Sequence, residues 1–160
     1  FSLPTSKAEF KGLVQGRRPH TGRLHFIPEM GGKTRVIAIG DIYSQSVLKP
    51  IHDFLMDALR GLGEVDGTFD QRAQVERLQK VSRERGSSVT YYSFDLSSCT
   101  DRFPIEFQYW CLLPILGKEV TDLWATILSD RSFFFQRRLM TVKYAVGQPM
   151  GLLSSWAAMA

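Results

Sequence analysis

One segment constrains this chain more than any other: VTYYSFDLSSCTDRFP, from Val89 to Pro104. Val89–Leu96 combines β-branched and aromatic residues, the composition that suits a strand. It delivers a carboxylate, Asp95, to its C-terminal end. Ser97, Ser98, Cys99 and Thr100 then form a polar turn before a second carboxylate, Asp101. Pro104 fits the opening of a helix, where its missing N–H costs nothing. A carboxylate at a strand end is well placed to hold Mg²⁺, a hard ion that seeks oxygen. On local grounds Asp95 reads equally well as a helix N-cap or a turn residue, and Asp101 as a partner for Arg102.

The rest of the chain supplies elements for that segment to pack against. Residues 1–32 are punctuated by Gly and Pro and read as mostly irregular, with a short extended piece at Leu24–Ile27. After Gly31-Gly32, Lys33–Ile39 reads as a strand with two cations, Lys33 and Arg35, on one face. In 44–60 the residues Val47, Leu48, Ile51, Leu55, Ala58 and Leu59 recur at helical spacing, with Pro50 at a start or a kink and Gly61 and Gly63 at the end. Thr68 and Gln71 have capping-box spacing before a polar helix over 69–84, whose buried stripe would be Val75, Leu78 and Val81. A helix from Pro104, broken or kinked at Pro114, a further helix over 119–129 and a hairpin within Phe133–Val146 follow. Leu152–Ala160 reads as the start of another helix.

Composition narrows the class. With 44% hydrophobic and 22% charged residues the chain is globular, and 160 residues is the size of one ordinary domain. Two cysteines and three histidines give neither a disulfide scaffold nor zinc-site spacing. Charge or Pro interrupts every apolar stretch well short of a membrane span. The net charge of +4 is unevenly laid out: residues 1–40 carry seven basic and two acidic side chains, 41–130 nine and fourteen, and 131–160 four and none. A fold that joins the two ends would offer an anionic polymer or a triphosphate a positive border. The chain starts at Phe1 and stops in a run of small residues without a helix-capping signal, so we expect a fragment of a longer protein.

Two further segments could carry chemistry. Gly31 and Gly32 permit close backbone approach, and Lys33 and Arg35 could grip a triphosphate, although the spacing is not that of a Walker loop and an ordinary exposed strand face would look the same. In VGQPMGLLSSW, Val146–Trp156, a Gly-containing loop offers backbone amides to phosphate or ribose, and Ser154 and Ser155 offer hydroxyls. Small residues there also suit close helix packing.

Taken in order, GKTRVIAIGDIYSQSVLKPIHDFLMDALR, DGTFDQ, DLSSCTDRFP and GQPMGLLSSW resemble the RNA-dependent RNA polymerases of mitoviruses, RNA replicons of fungal and plant mitochondria with copies in plant genomes. The resemblance runs over nearly the whole chain, most firmly from Gly32 to Gly151. It implies an α+β chain forming part of a right-hand polymerase fold, with a fingers-like region at 1–88 and a partial palm at 89–160. It also implies a mitochondrial location and viral RNA replication. Lys33 and Arg35 resemble the basic motif that holds the incoming nucleoside triphosphate. Asp95 resembles the metal ligand of the first palm motif, and Asp101 the carboxylate that senses the ribose 2′-hydroxyl. Gly147–Ser155 resembles the second palm motif, with Gly151 and Ser155 at its glycine and hydroxyl positions. Met159 departs from the pattern, standing where many related polymerases have Asn.

The implied reaction is attack of an RNA 3′-hydroxyl on the α-phosphate of a ribonucleoside triphosphate, templated by RNA and assisted by two Mg²⁺ or Mn²⁺ ions. The partners are therefore template and product RNA and the triphosphates; no protein partner is indicated. The Gly-Asp-Asp hairpin that supplies the family's second carboxylate cluster is absent from residues 1–160, since Gly40-Asp41 is followed by Ile42. We therefore expect the isolated chain to be inactive and poorly soluble. The alternatives are a non-enzymatic relic of an integrated viral gene and a basic RNA-binding domain without catalytic ancestry.

Overall fold

The computed structural model describes residues 21–63, 67–86 and 89–160. The irregular course expected for residues 1–20 lies outside that range. Strand β1, Gly22–Pro28, turns through Gly31 and Gly32, both at positive φ, into β2, Thr34–Gly40. The two pair antiparallel in full register from Gly22 opposite Gly40 to Pro28 opposite Thr34. Much later in the chain β3, Phe133–Phe135, and β4, Met140–Val142, form a short antiparallel hairpin around a 3-10 turn at Gln136–Arg138. Arg23 of β1 pairs with Phe134 of β3 in parallel, giving a mixed sheet in the order β2-β1-β3-β4. The positively charged segments at either side of the acidic middle thus meet in one sheet.

Helix α1, Ile42–Gly61, is longer than its periodicity predicts because Asp41 caps it: the Ser44 N–H donates to Asp41 Oδ1 at 2.9 Å. Pro50 lies inside α1 and does not begin it. Leu48, Leu55 and Leu59 are the buried stripe, while Val47 faces outward. Helix α2, Gln71–Arg85, ends on Gly86 at positive φ as its sequence suggests. Its cap is Asp70, which accepts from the Ala73 N–H at 2.9 Å, so the expected capping box of Thr68 and Gln71 is not what starts it. None of its residues is buried; Val75 and Leu78 stay about half exposed, because little beyond the Tyr91 hydroxyl on the Leu78 carbonyl covers them.

A one-turn helix α3, Cys99–Arg102, leads through Pro104 into α4, Ile105–Leu116. Pro114 is accommodated in the last turn of α4 without breaking it. Helix α5, Lys118–Ser129, packs back on α4 across Gly117. The core lies between β2, α1, α5 and the loop after β4, and centres on Ala38, Leu48, Trp124, Leu128, Phe133 and Leu152, each at most 4% exposed.

Two expectations fail. Val89–Leu96 is no strand: it has no ladder partner among the described residues, and a strand exists only where its N–H and C=O groups find one. Tyr92 and Phe94 accordingly remain more than three quarters exposed. Leu152–Ala160 forms successive turns, not a helix. Ser154 takes a left-handed φ of 66°, and its bonds mix three-residue steps such as Met159 N–H to Trp156 O with four-residue steps such as Ala158 N–H to Ser154 O.

Candidate functional site

The loop from Gly147 to Trp156 wedges between the Asp95–Arg102 turn and β2. Its course is fixed by backbone bonds at both sides. Gly147 N–H donates to Asp101 O at 3.1 Å and Gln148 N–H to Thr100 O at 2.9 Å, while Ala38 N–H of β2 donates to Met150 O at 2.7 Å. Gly147 allows the first contact, since a Cβ there would fall on the Thr100 and Asp101 carbonyls. Gly151 allows the second. It sits at φ +118°, and a Cβ would lie 2.7 Å from Ile37 Cγ2 and 2.8 Å from Ala38 O.

Between these walls opens a cavity of about 830 Å³. Arg35, Asp95, Gly151, Ser154 and Ser155 all line it, so five residues singled out in the sequence share one space. His52, Ser98, Thr100 and Met159 line it too. Asp95 is exposed and makes no hydrogen bond or ion pair among the described residues; Ser98, not Asp95, holds the N-cap position of α3. Arg35 is held from the side by Glu29, 2.7 Å from its guanidinium, a partner that the sequence reading did not include.

Lys33, Asp101 and Gly147 do not line the cavity. Lys33 is exposed on the turn before β2, where its carbonyl accepts from the Glu29 N–H. Asp101 turns to Tyr144. Burial, reinforced by the charge of Asp101 and a hydrogen bond to it, pushes the Tyr144 hydroxyl up to about 12, so it stays a donor at every ordinary pH. Ser154 and Ser155 differ in surroundings. Ser154 Oγ accepts from Trp124 Nε1 at 2.9 Å, whereas Ser155 Oγ is buried without a partner among the described residues. Gln148, fully buried, braces the loop from behind by donating to Gln108 Oε1 at 2.5 Å and to Ser155 O at 2.7 Å.

Among the described residues no three His, Cys, Asp or Glu side chains gather closely enough to hold a metal ion. Asp95 is the only carboxylate among the described residues that lines the cavity, and it cannot by itself fill the octahedral oxygen shell of Mg²⁺. No helix among the described residues is long and apolar enough to cross a membrane.

Arg35, an unpaired carboxylate and a glycine-bent loop thus surround one cavity, and comparison with known proteins gives the class. The sequence profile described as Mitovirus RNA-dependent RNA polymerase matches residues 3–160. The chain belongs to the mitovirus RNA-dependent RNA polymerase family. It is 32% identical over 160 residues to the RNA-directed RNA polymerase of Cryphonectria parasitica mitovirus 1, covering all of this chain and 19% of that protein. Two uncharacterized mitochondrial proteins of Arabidopsis thaliana are also similar. One is 33% identical over 101 residues, 59% of this chain and 46% of that protein; the other is 34% identical over 109 residues, 66% and 41%. The chain therefore spans about a fifth of the viral relative and less than half of the plant ones. These relatives bear out the mitochondrial location.

Proposed function

We propose that this chain forms the nucleotide-facing part of an RNA-directed RNA polymerase, with a fingers-like region at 1–88 and the first half of a palm at 89–160. One observation carries the reading. Arg35 of β2, Asp95 of the turn and Gly151, Ser154 and Ser155 of the loop, far apart in sequence, line a single cavity of about 830 Å³. That is room for a ribonucleoside triphosphate. Arg35 offsets triphosphate charge, with Lys33 at the strand entrance as a second cation. Ser154 and Ser155 belong to the loop wall that would face the sugar. Gly147 sets the loop against the turn that carries Asp101, the carboxylate assigned to sensing the ribose 2′-hydroxyl, which in this structure turns to Tyr144 and does not line the cavity. The reaction joins a primer 3′-oxygen to the α-phosphorus of the triphosphate and releases pyrophosphate, on an RNA template.

Asp95 is the ligand this chain would contribute to Mg²⁺ or Mn²⁺. The donors that complete the shell are not in this cavity, so the chain by itself is expected to be inactive. The test is templated incorporation of labelled ribonucleotides by a full-length protein carrying this chain. Asp95→Ala is expected to abolish incorporation, and Arg35→Ala to raise the KM for nucleotide at least tenfold. Incorporation unaffected by Asp95→Ala overturns the proposal. The similarity to two plant mitochondrial proteins favours a second reading, an inactive genome-resident copy of a viral gene. A reading frame that continues through a Gly-Asp-Asp sequence supports the polymerase, and an early stop supports the relic.

A further inference from the structure

The loop that makes most of the cavity wall has no regular secondary structure, and it holds two backbone positions at positive φ, Gly151 at 118° and Ser154 at 66°. Such a conformation persists only where its surroundings over-determine it. Helix α1 supplies the restraint from more than a hundred residues away. The Gln45 side-chain amide grips the loop at two points: Nε2 donates to Gly151 O at 2.8 Å, and Oε1 accepts from the Leu153 N–H at 2.9 Å. His52 takes the next amide, its Nδ1 accepting from the Ser154 N–H at 3.2 Å. Acceptance at Nδ1 leaves the ring proton of the neutral imidazole on Nε2.

Gln45 and His52 are seven residues apart and lie on the same helix face as Leu48, Leu55 and Leu59, the stripe that anchors α1 in the core. They are polar residues at core-facing positions of an amphipathic helix, and the loop backbone is what satisfies them. Each such bond adds little to the stability of the whole fold. Their larger effect falls on the local equilibrium of a strained loop, which has few other ties on this side.

We infer that Gln45 and His52 are positioning residues. They hold Gly151, Leu153 and Ser154 in place, so that the wall facing Arg35 and Asp95 is formed before a phosphate- and hydroxyl-bearing ligand arrives. The ligand part of this inference rests on the polymerase reading; the clamp itself does not.

Amide hydrogen exchange on the full-length protein carrying this chain, read residue by residue by mass spectrometry with electron-transfer fragmentation, separates the two. Gln45→Leu is expected to speed exchange of the Leu153 amide at least tenfold, and His52→Gln that of Ser154, while amides of Trp124 and Leu128 in α5 keep their wild-type rates. His52→Asn, whose side-chain oxygen can take the place of Nδ1, is expected to restore protection at Ser154; His52→Gln, which reaches toward Nε2, is not. Unchanged Leu153 and Ser154 exchange in all variants overturns the clamp, and so does equal acceleration in α5. Titration of the same proteins with ATP and Mg²⁺ tests the ligand. A Kd raised about tenfold by Gln45→Leu and His52→Gln, and near wild type for His52→Asn, supports a nucleotide pocket. Released loop amides with an unchanged Kd overturn the nucleotide reading and leave the clamp standing.

Discussion

Asp41 is where three donors converge. Its Oδ1 accepts from the Ser44 N–H at 2.9 Å, and its Oδ2 from Ser44 Oγ at 2.7 Å and Arg131 Nη2 at 3.0 Å. Burial alone would raise its carboxyl, but the Ser44 and Arg131 hydrogen bonds outweigh that and bring it down to about 2 from 3.8. The Arg131 side chain is only 9% exposed, and Asp41 is the carboxylate that compensates its buried charge. Because the folded carboxyl titrates below the unfolded one, its stabilisation is complete above pH 4 to 5 and is lost as pH falls toward 2. It is worth about 2 kcal/mol. Urea unfolding of Asp41→Asn should therefore show a deficit of about that size at pH 7 that shrinks steadily below pH 4. A deficit independent of pH would contradict this account of the cap.

Elements divide sharply by whether their partners lie nearby in sequence. Helix α1, strand β2 with the glycine turn before it, and α5 were legible because periodicity and turn residues encode them locally, whereas the pairing of β1 with β2 was not read from the largely irregular 1–32 segment. Val89–Leu96 was not legible, since strand composition cannot supply a neighbouring strand, and Leu152–Ala160 was not, since the left-handed Ser154 answers to His52 and Trp124. The site shows the same division. Asp95, Arg35, Gly151, Ser154 and Ser155 could be picked out by residue type. Gln45 and His52 act on backbone atoms, and their only signal was polarity at core-stripe positions of α1. For the segment before Asp95, exposure sets the expectation. Tyr92→Ser and Phe94→Ser should each change the unfolding free energy of this chain by less than about 0.5 kcal/mol. A loss near 2 kcal/mol in chemical denaturation would mean that this segment is packed.

Across the whole molecule, apolar surface is distributed unevenly. Helix α4 is apolar almost all round, and Phe107, Trp110 and Ile115 on it, with Leu123 on α5, are each more than half exposed. Tyr92, Phe94 and Leu96 are exposed as well. The chain should self-associate at micromolar concentration, and Trp110→Glu with Phe107→Lys should shift sedimentation toward the monomer. A wild-type monomer at high concentration would refute this. The long-range pairing of the sheet also bears on birth at the ribosome. The β1–β2 hairpin and the Asp41 cap emerge early, yet Arg131 follows Asp41 by 90 residues, and β3 comes just after it. At about 5–20 residues per second, the nascent hairpin waits several seconds with one edge open and its carboxylate unmatched. A pause in translation within that interval would prolong exposure of the open edge, and synonymous codons alone could then alter the yield of folded chain.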